Sequence, residues 1–76
     1  MFDESWVGAA IQKMRLEVAA YQQDDRYGEL ARRTALTADL LDEIFMLWRR
    51  DVAIPIGILE SAESLAEHVM GAIDDA

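Results

Sequence analysis

The stretch ESWVGAAIQKMRLEVAAY, residues 4–21, decides the fold class of this 76-residue chain. Five of its large side chains are four, three, four and three residues apart, at Val7, Ile11, Met14, Val18 and Tyr21, and Trp6 lies beside them. On an α-helix this spacing gathers them into one narrow seam that packs against other helices. Asp3 or Ser5 can accept the first free backbone N–H groups as an N-cap. The pattern predicts a helix over Glu4–Tyr21 in a helical bundle.

Three further helices are expected after this one. A short helix over Asp25–Thr34 is followed by a long helix that begins at the N-cap Thr37 and ends at Arg49-Arg50, where positive charge complements the helix dipole. The last helix runs from Ala62 to Ile73, with Ser61 as its N-cap.

The segment VAIPIGIL, residues 52–59, is predicted to be an apolar connector rather than a strand. Pro55 lacks the N–H group that a strand ladder needs, and the sequence offers no second strand to pair with it. Such a segment must lie against the core or another chain, because a free apolar loop favours aggregation. We therefore predict an all-α fold without a sheet: a single domain, residues 1–76, of four helices, three long and one short.

Residue types that carry chemistry are scarce. The chain has no cysteine and one histidine, His68. A thiolate nucleophile and a cysteine-based zinc site are therefore excluded, and one imidazole without a second ligand does not make a metal site. No glycine-rich phosphate loop or nucleophile elbow is present. We expect a non-enzymatic protein with no metal and no cofactor.

Charge narrows the class of partner. Fifteen acidic residues against seven basic ones give a net charge of −8, and no Lys or Arg follows Arg50. Such a chain repels nucleic-acid phosphates and anionic membranes, so we expect a basic protein as the partner. No apolar run is long enough for a membrane helix, and the acidic N-terminus does not resemble a signal peptide, so we expect a cytoplasmic protein. Six Arg against one Lys, with twelve Ala, is a composition typical of bacterial or phage genes.

The segment ELARRTALTADLL, residues 29–41, resembles the helix-turn-helix motif of bacterial regulators. Ala31 takes the small-residue position, Ala35 the turn, and Leu36, Leu41 and Ile44 the apolar positions. The resemblance implies a DNA-reading regulator with a turn at Ala35. However, Ala35 replaces the usual turn glycine, and the implied recognition helix opens with carboxylates that phosphates repel, namely Asp39, Asp42 and Glu43.

The second half of the chain is similar to acyl and peptidyl carrier proteins, which are small, acidic and built of four helices. Asp39-Leu40-Leu41, Ile54-Pro55 and Leu65-Ala66 carry the resemblance. Those carriers attach phosphopantetheine to a serine within Asp-Ser-Leu, and Leu40 holds that place here. The resemblance therefore implies an analogous fold and no carrier chemistry.

Ten side chains are candidates for binding a protein partner. The apolar candidates are Phe45, Trp48, Ile54 and Ile56. The acidic candidates form two groups on helix faces: Asp39, Asp42 and Glu43, and then Glu60, Glu63 and Glu67. We expect the apolar group to dock and the carboxylates to select a basic partner.

The leading hypothesis is an adaptor, inhibitor or regulatory subunit, one form being a phage- or plasmid-type inhibitor of a nucleic-acid-binding protein. The alternative is a degenerate acyl-carrier-like or helix-turn-helix-like regulatory protein. Residues 44–48 and 52–59 hold more bulky apolar groups than a chain of this size covers, so we also expect a homodimer through them. The alternative is that the third helix is central and buried on every side.

Overall fold

Helices alone build the part of the chain that the computed structural model describes, residues 2–75. Within that range α1 spans Glu4–Tyr21 and a 3-10 turn spans Asp25–Tyr27. Helix α2 spans Gly28–Arg49, and α3 spans Ile56–Asp75. The all-α prediction is confirmed. The prediction of four helices is wrong, because the described residues form three α-helices, each 18 to 22 residues long.

Helix α1 has the predicted bounds, and Asp3 is its N-cap. The Asp3 side chain accepts a hydrogen bond from the backbone N–H of Trp6 at 3.3 Å. Its carbonyl accepts the N–H of Val7 at 2.8 Å, which is the first bond of the helix. The seam predicted from the 4-3-4-3 spacing faces inward, with Val7 and Met14 fully buried.

Helix α2 runs without interruption through the predicted break, so the short second helix, the Thr37 N-cap and the turn at Ala35 are wrong. The Thr34 hydroxyl donates to the carbonyl of Leu30 at 2.7 Å, and the Thr37 hydroxyl donates to that of Arg33 at 2.8 Å. Both threonines are buried and bonded within the helix, so they do not cap a new one.

The C-terminus of α2 is closed by backbone hydrogen bonds of the Schellman type. The N–H of Val52 donates to the carbonyl of Leu47 at 3.2 Å, and the N–H of Asp51 donates to that of Trp48 at 3.2 Å. Asp51 has a φ of 60°, the left-handed conformation that this motif requires after the helix. The chain therefore turns sharply away from α2 at Asp51.

Helix α3 begins six residues earlier than predicted, so Ser61 is not its N-cap and the connector ends at Pro55 rather than Leu59. The carbonyl of Pro55 accepts the N–H groups of Ile58 at 3.0 Å and Leu59 at 3.3 Å. A proline fits the start of a helix because its missing N–H would have no partner there.

The three helices form an up-down-up bundle measuring 39 × 18 × 18 Å. The Nε atom of Arg49, at the end of α2, lies 3.7 Å from Oε1 of Glu4 at the start of α1, so these helices are antiparallel. At the other end of α1 the Tyr21 hydroxyl donates to the carbonyl of Ile73 in α3 at 3.4 Å, so α1 and α3 are parallel. The core between them is made of Val7, Ala10, Ile11, Met14, Ala38, Leu41, Ile44, Phe45, Ala62, Ala66, Val69 and Ile73.

Candidate protein-interaction surfaces

An apolar depression of about 400 Å³ lies at the end of the bundle where α2 stops and α3 begins. We call it the end cleft, and it is lined by Phe2, Trp48, Ile56, Leu59 and Glu60. The Phe2 and Trp48 rings meet edge to face, with centroids 5.4 Å apart. Ile56 is 73% exposed and is the least covered of the large apolar side chains in the described part of the chain. The end cleft thus pairs a fixed aromatic wall with an aliphatic side chain that has few neighbours.

Local backbone geometry places these side chains. The turn at Asp51 sends the chain back towards the bundle, and Ile54 packs against the core. Pro55 then starts α3 at once, so that Ile56 and Glu60, one turn apart, share the side of α3 that borders Trp48. The sequence predicted Trp48, Ile56 and Glu60 as binding residues, and the structure brings these three together.

A row of carboxylates continues from the cleft along α3. We call this row the acidic strip: Glu60, Glu63, Glu67 and Asp74. The spacing of three, four and seven residues puts them on one flank of the helix. That flank borders α1, because Asp74 accepts a hydrogen bond from Lys13 at 3.1 Å. Glu60 and Glu67 are exposed and make no ion pair among the described residues, so their negative charge is available to a partner.

In the other predicted acidic group, on α2, two of the three carboxylates form ion pairs with α1. The guanidinium of Arg15 in α1 donates to Asp39 at 3.1 Å and to Asp42 at 3.2 Å. These two carboxylates therefore bridge α2 to α1 and are partly neutralised within the chain. Glu43, one turn after Asp39, is exposed and makes no ion pair among the described residues.

Phe45 was predicted as a partner-binding residue, but its side chain is only 9% exposed and belongs to the core rather than to a docking surface. Its ring stacks on Trp48 with centroids 6.1 Å apart. Ile44 is buried as well. The inner side of α2 is thus used by the bundle itself. Of the homodimer surface predicted at residues 44–48, the bundle buries Ile44 and Phe45, while Met46 and Leu47 stay exposed.

A second apolar surface runs along the outside of the groove between α2 and α3. Leu40 and Asp42 flank the buried Leu41 on opposite sides, and Asp42 faces α1, so Leu40 lies on the flank towards α3. In α3, Leu65 and Glu67 flank the buried Ala66 in the same way, and Glu67 shares the α1 flank of Asp74, so Leu65 lies towards α2. The exposed flanks of both helices therefore meet on one side of the bundle.

We call this surface the α2–α3 face. Helical spacing assigns to it Leu36, Leu40, Glu43 and Leu47 from α2, and Ile58, Ser61, Leu65, His68 and Ala72 from α3. Its five large apolar side chains are between 38% and 64% exposed.

No family model, curated protein or solved structure matches the chain. Among residues 2–75, no group of three or more histidine or acidic side chains is arranged to hold a metal ion. None of the described helices combines the length and apolarity that crossing a membrane would require.

Sequence reasoning missed part of both surfaces. Phe2 precedes the first helix, and only a tertiary contact with Trp48 gives it a place in the end cleft. Leu36, Leu40 and Leu65 each lie beside the seam of their helix. Leu36 and Leu40 are four residues apart, Leu40 and Leu47 are seven apart, and Leu65 is seven from Ile58. This spacing was a usable signal, but the break predicted before Thr37 hid the relation between Leu36 and Leu40.

Proposed function

We propose that this protein is a small, non-enzymatic interaction module that binds a basic protein through the end cleft and the acidic strip. The observation that carries the proposal is the end cleft itself, where Trp48, Ile56 and Glu60 surround one apolar depression with a carboxylate at its edge. Buried aromatic anchors beside charged rims are the arrangement that dominates binding energy at protein interfaces.

Docking in this scheme has two parts. An aliphatic or aromatic side chain of the partner enters the end cleft and covers Ile56, whose exposed surface is then removed from water. Lys and Arg side chains of the partner approach Glu60 and Glu67, which attract them at long range and set the orientation of the complex. Apolar burial supplies affinity, and charge supplies selection and the rate of association.

The proposed role is that of an adaptor, inhibitor or regulatory subunit in the cytoplasm of a bacterium or in a phage-infected cell. A phage- or plasmid-type inhibitor of a nucleic-acid-binding protein is one concrete form. Positions 51–76 hold six acidic residues and no Lys or Arg, which supports this form, because a surface that normally holds phosphates also attracts carboxylates. The homodimer predicted from the sequence belongs to the proposal too, on a surface that keeps Leu47 and Ile58 of the one first predicted and leaves out the buried Ile44 and Phe45.

The test is capture of host proteins on immobilised wild-type protein and on two variants with the same charge change. Ile56→Lys places a positive charge in the end cleft. Leu16→Lys places one on the solvent side of α1, where Leu16 is 64% exposed. We expect a basic protein that is retained by the wild type and by Leu16→Lys, is lost with Ile56→Lys, and elutes as salt rises.

Retention that is equal on all three baits, or that does not favour basic proteins, would show that the end cleft is not the binding site. If the retained protein is a nucleic-acid enzyme, the inhibitor form is favoured. If it is a biosynthetic synthase, the carrier-like alternative is favoured instead.

A further inference from the structure

We propose that the α2–α3 face binds the same face of a second copy of this chain, forming a two-fold dimer. The inference rests on the homodimer included in the proposed function and assigns its contact to a surface distinct from the end cleft and the acidic strip. It also moves the predicted dimer contact from the buried residues 44 and 45 to side chains that are exposed in the single chain.

The first argument is that exposed apolar side chains are concentrated on this face. Leu36, Leu40 and Leu47 fall within about 40° of one another around α2, and Ile58 and Leu65 are similarly aligned on α3. Trp48 and Leu59 meet at the end cleft. Equal rise along the two antiparallel helices then puts Leu47 within two residues, about 3 Å, of the level of Ile58, and Leu40 within the same distance of the level of Leu65. The result is one continuous apolar surface, two helices wide, rather than scattered exposed residues.

The second argument is charge. The chain carries −8 overall, so two copies repel one another wherever their carboxylates meet. Between Leu36 and Leu47, and between Ile58 and Ala72, Glu43 is the only Asp, Glu, Lys or Arg that helical spacing places on the described part of this face. Before Leu36 the same spacing adds Glu29 and Arg33, whose opposite charges pair with each other at 3.3 Å. The acidic strip lies on the opposite flank of α3, beside α1. A second copy therefore meets the nearly uncharged side, whereas a basic partner is drawn to the acidic one.

The third argument is area. The long side of the bundle measures 39 by 18 Å, a projected area of about 700 Å². A stable interface of standard size covers about 800 Å² on each partner. Leu36 to Leu47 spans about 17 Å of helix at 1.5 Å per residue, so the apolar centre occupies roughly half of that side and leaves a polar rim. A two-fold axis through this centre makes the contact self-complementary, as a closed dimer requires.

The test is sedimentation equilibrium of the purified full chain and of leucine-to-glutamate variants, with circular dichroism to verify folding. We expect twice the 8.6 kDa chain mass at high micromolar concentration for the wild type. Leu40→Glu and Leu65→Glu each alter the interface twice per dimer, so we expect the dissociation constant to rise roughly 100-fold or more.

A matched pair of variants tests whether a loss of the dimer comes from the interface or from unfolding. Leu36, on the α2–α3 face, and Leu16, on the solvent side of α1, are both 64% exposed. Leu36→Glu should weaken the dimer and Leu16→Glu should leave it intact, with both variants fully helical. A wild-type mass of 8.6 kDa at high micromolar concentration, or equal effects of the two substitutions, would overturn the proposal. Because capture of a basic partner depends on Ile56 and self-association on Leu40, either can fail without the other.

Discussion

Replacing Asp51 with glycine should stabilise the fold, and the structure gives the size of the effect. Asp51 has a φ of 60°, and left-handed backbone costs a residue with a Cβ atom roughly 1–2 kcal/mol, less for Asp than for most. Glycine removes that cost, but its greater freedom in the unfolded chain lowers stability by about 0.4–1 kcal/mol. Removing a carboxylate from the negative end of α2 contributes roughly 0.3–1 kcal/mol in favour of the variant. We expect a net gain of about 1 kcal/mol.

Asp51→Ala is the matched control, because it removes the same charge and keeps the Cβ atom. Glycine should exceed alanine by about 1 kcal/mol, the backbone contribution alone. In a domain of this length 1 kcal/mol corresponds to about 4–8 °C in Tm. Thermal unfolding followed by circular dichroism can measure the difference. If alanine stabilises the protein as much as glycine, the gain comes from charge, and the reasoning about the Schellman closure of α2 fails.

Three further predictions concern the helices. Ala35→Gly should lower the unfolding free energy by about 1 kcal/mol in urea titration, because α2 is continuous there, and an unchanged stability would indicate a turn. Gly71→Ala, inside α3 with open space at the Cβ position, should raise it by about 0.5–1 kcal/mol, and a loss would mean that the site is crowded. Burial, with a smaller effect of Glu17, raises the pKa of Tyr21 from 10.0, so the neutral phenol stabilises the fold below pH 10 and that contribution is lost as the pH rises through the raised pKa. The unfolding free energy of Tyr21→Phe should therefore fall less above pH 10 than that of the wild type. Identical profiles of unfolding free energy against pH would contradict this.

Helix α1 could be predicted to the residue because its information is local. Asp3 supplies a side-chain cap, and the seam repeats through Tyr21 without a competing signal. The polar residues after Tyr21 then end the helix, with Asp24 accepting the N–H of Arg26 in the following turn. Arg26 donates side-chain hydrogen bonds to the same carboxylate, which lowers the pKa of Asp24.

The division of α2 and the late start of α3 were wrong for a shared reason. Thr37 and Pro55 each suit two positions in a helical protein. A threonine caps a helix from outside or bonds the carbonyl four residues back from within, and Thr37 does the second. A proline interrupts regular structure or begins a helix, and Pro55 does the second. The choice depends on which neighbours bury the residue, and that information is tertiary.

The candidate surfaces were predictable only in part for the same reason. Five consecutive apolar residues, Ile44 to Trp48, cover more than one side of a helix, and the sequence does not tell which side the other helices occupy. The bundle buries Ile44 and Phe45 and leaves Trp48 at the end cleft. Arg15 likewise takes Asp39 and Asp42 out of the predicted acidic patch through contacts 24 and 27 residues away in sequence.

Fluorescence of Trp48 tests most directly whether the end cleft is where a partner binds. The chain has two tryptophans, so Trp6→Phe leaves Trp48 as the sole tryptophan, whose emission is selected by exciting beyond the absorption of the two tyrosines. Titration with the basic protein retained by the wild-type chain should shift its emission to shorter wavelength as the cleft is covered, and Ile56→Lys should abolish the shift. Binding that calorimetry detects while the Trp48 emission stays unchanged would contradict the account.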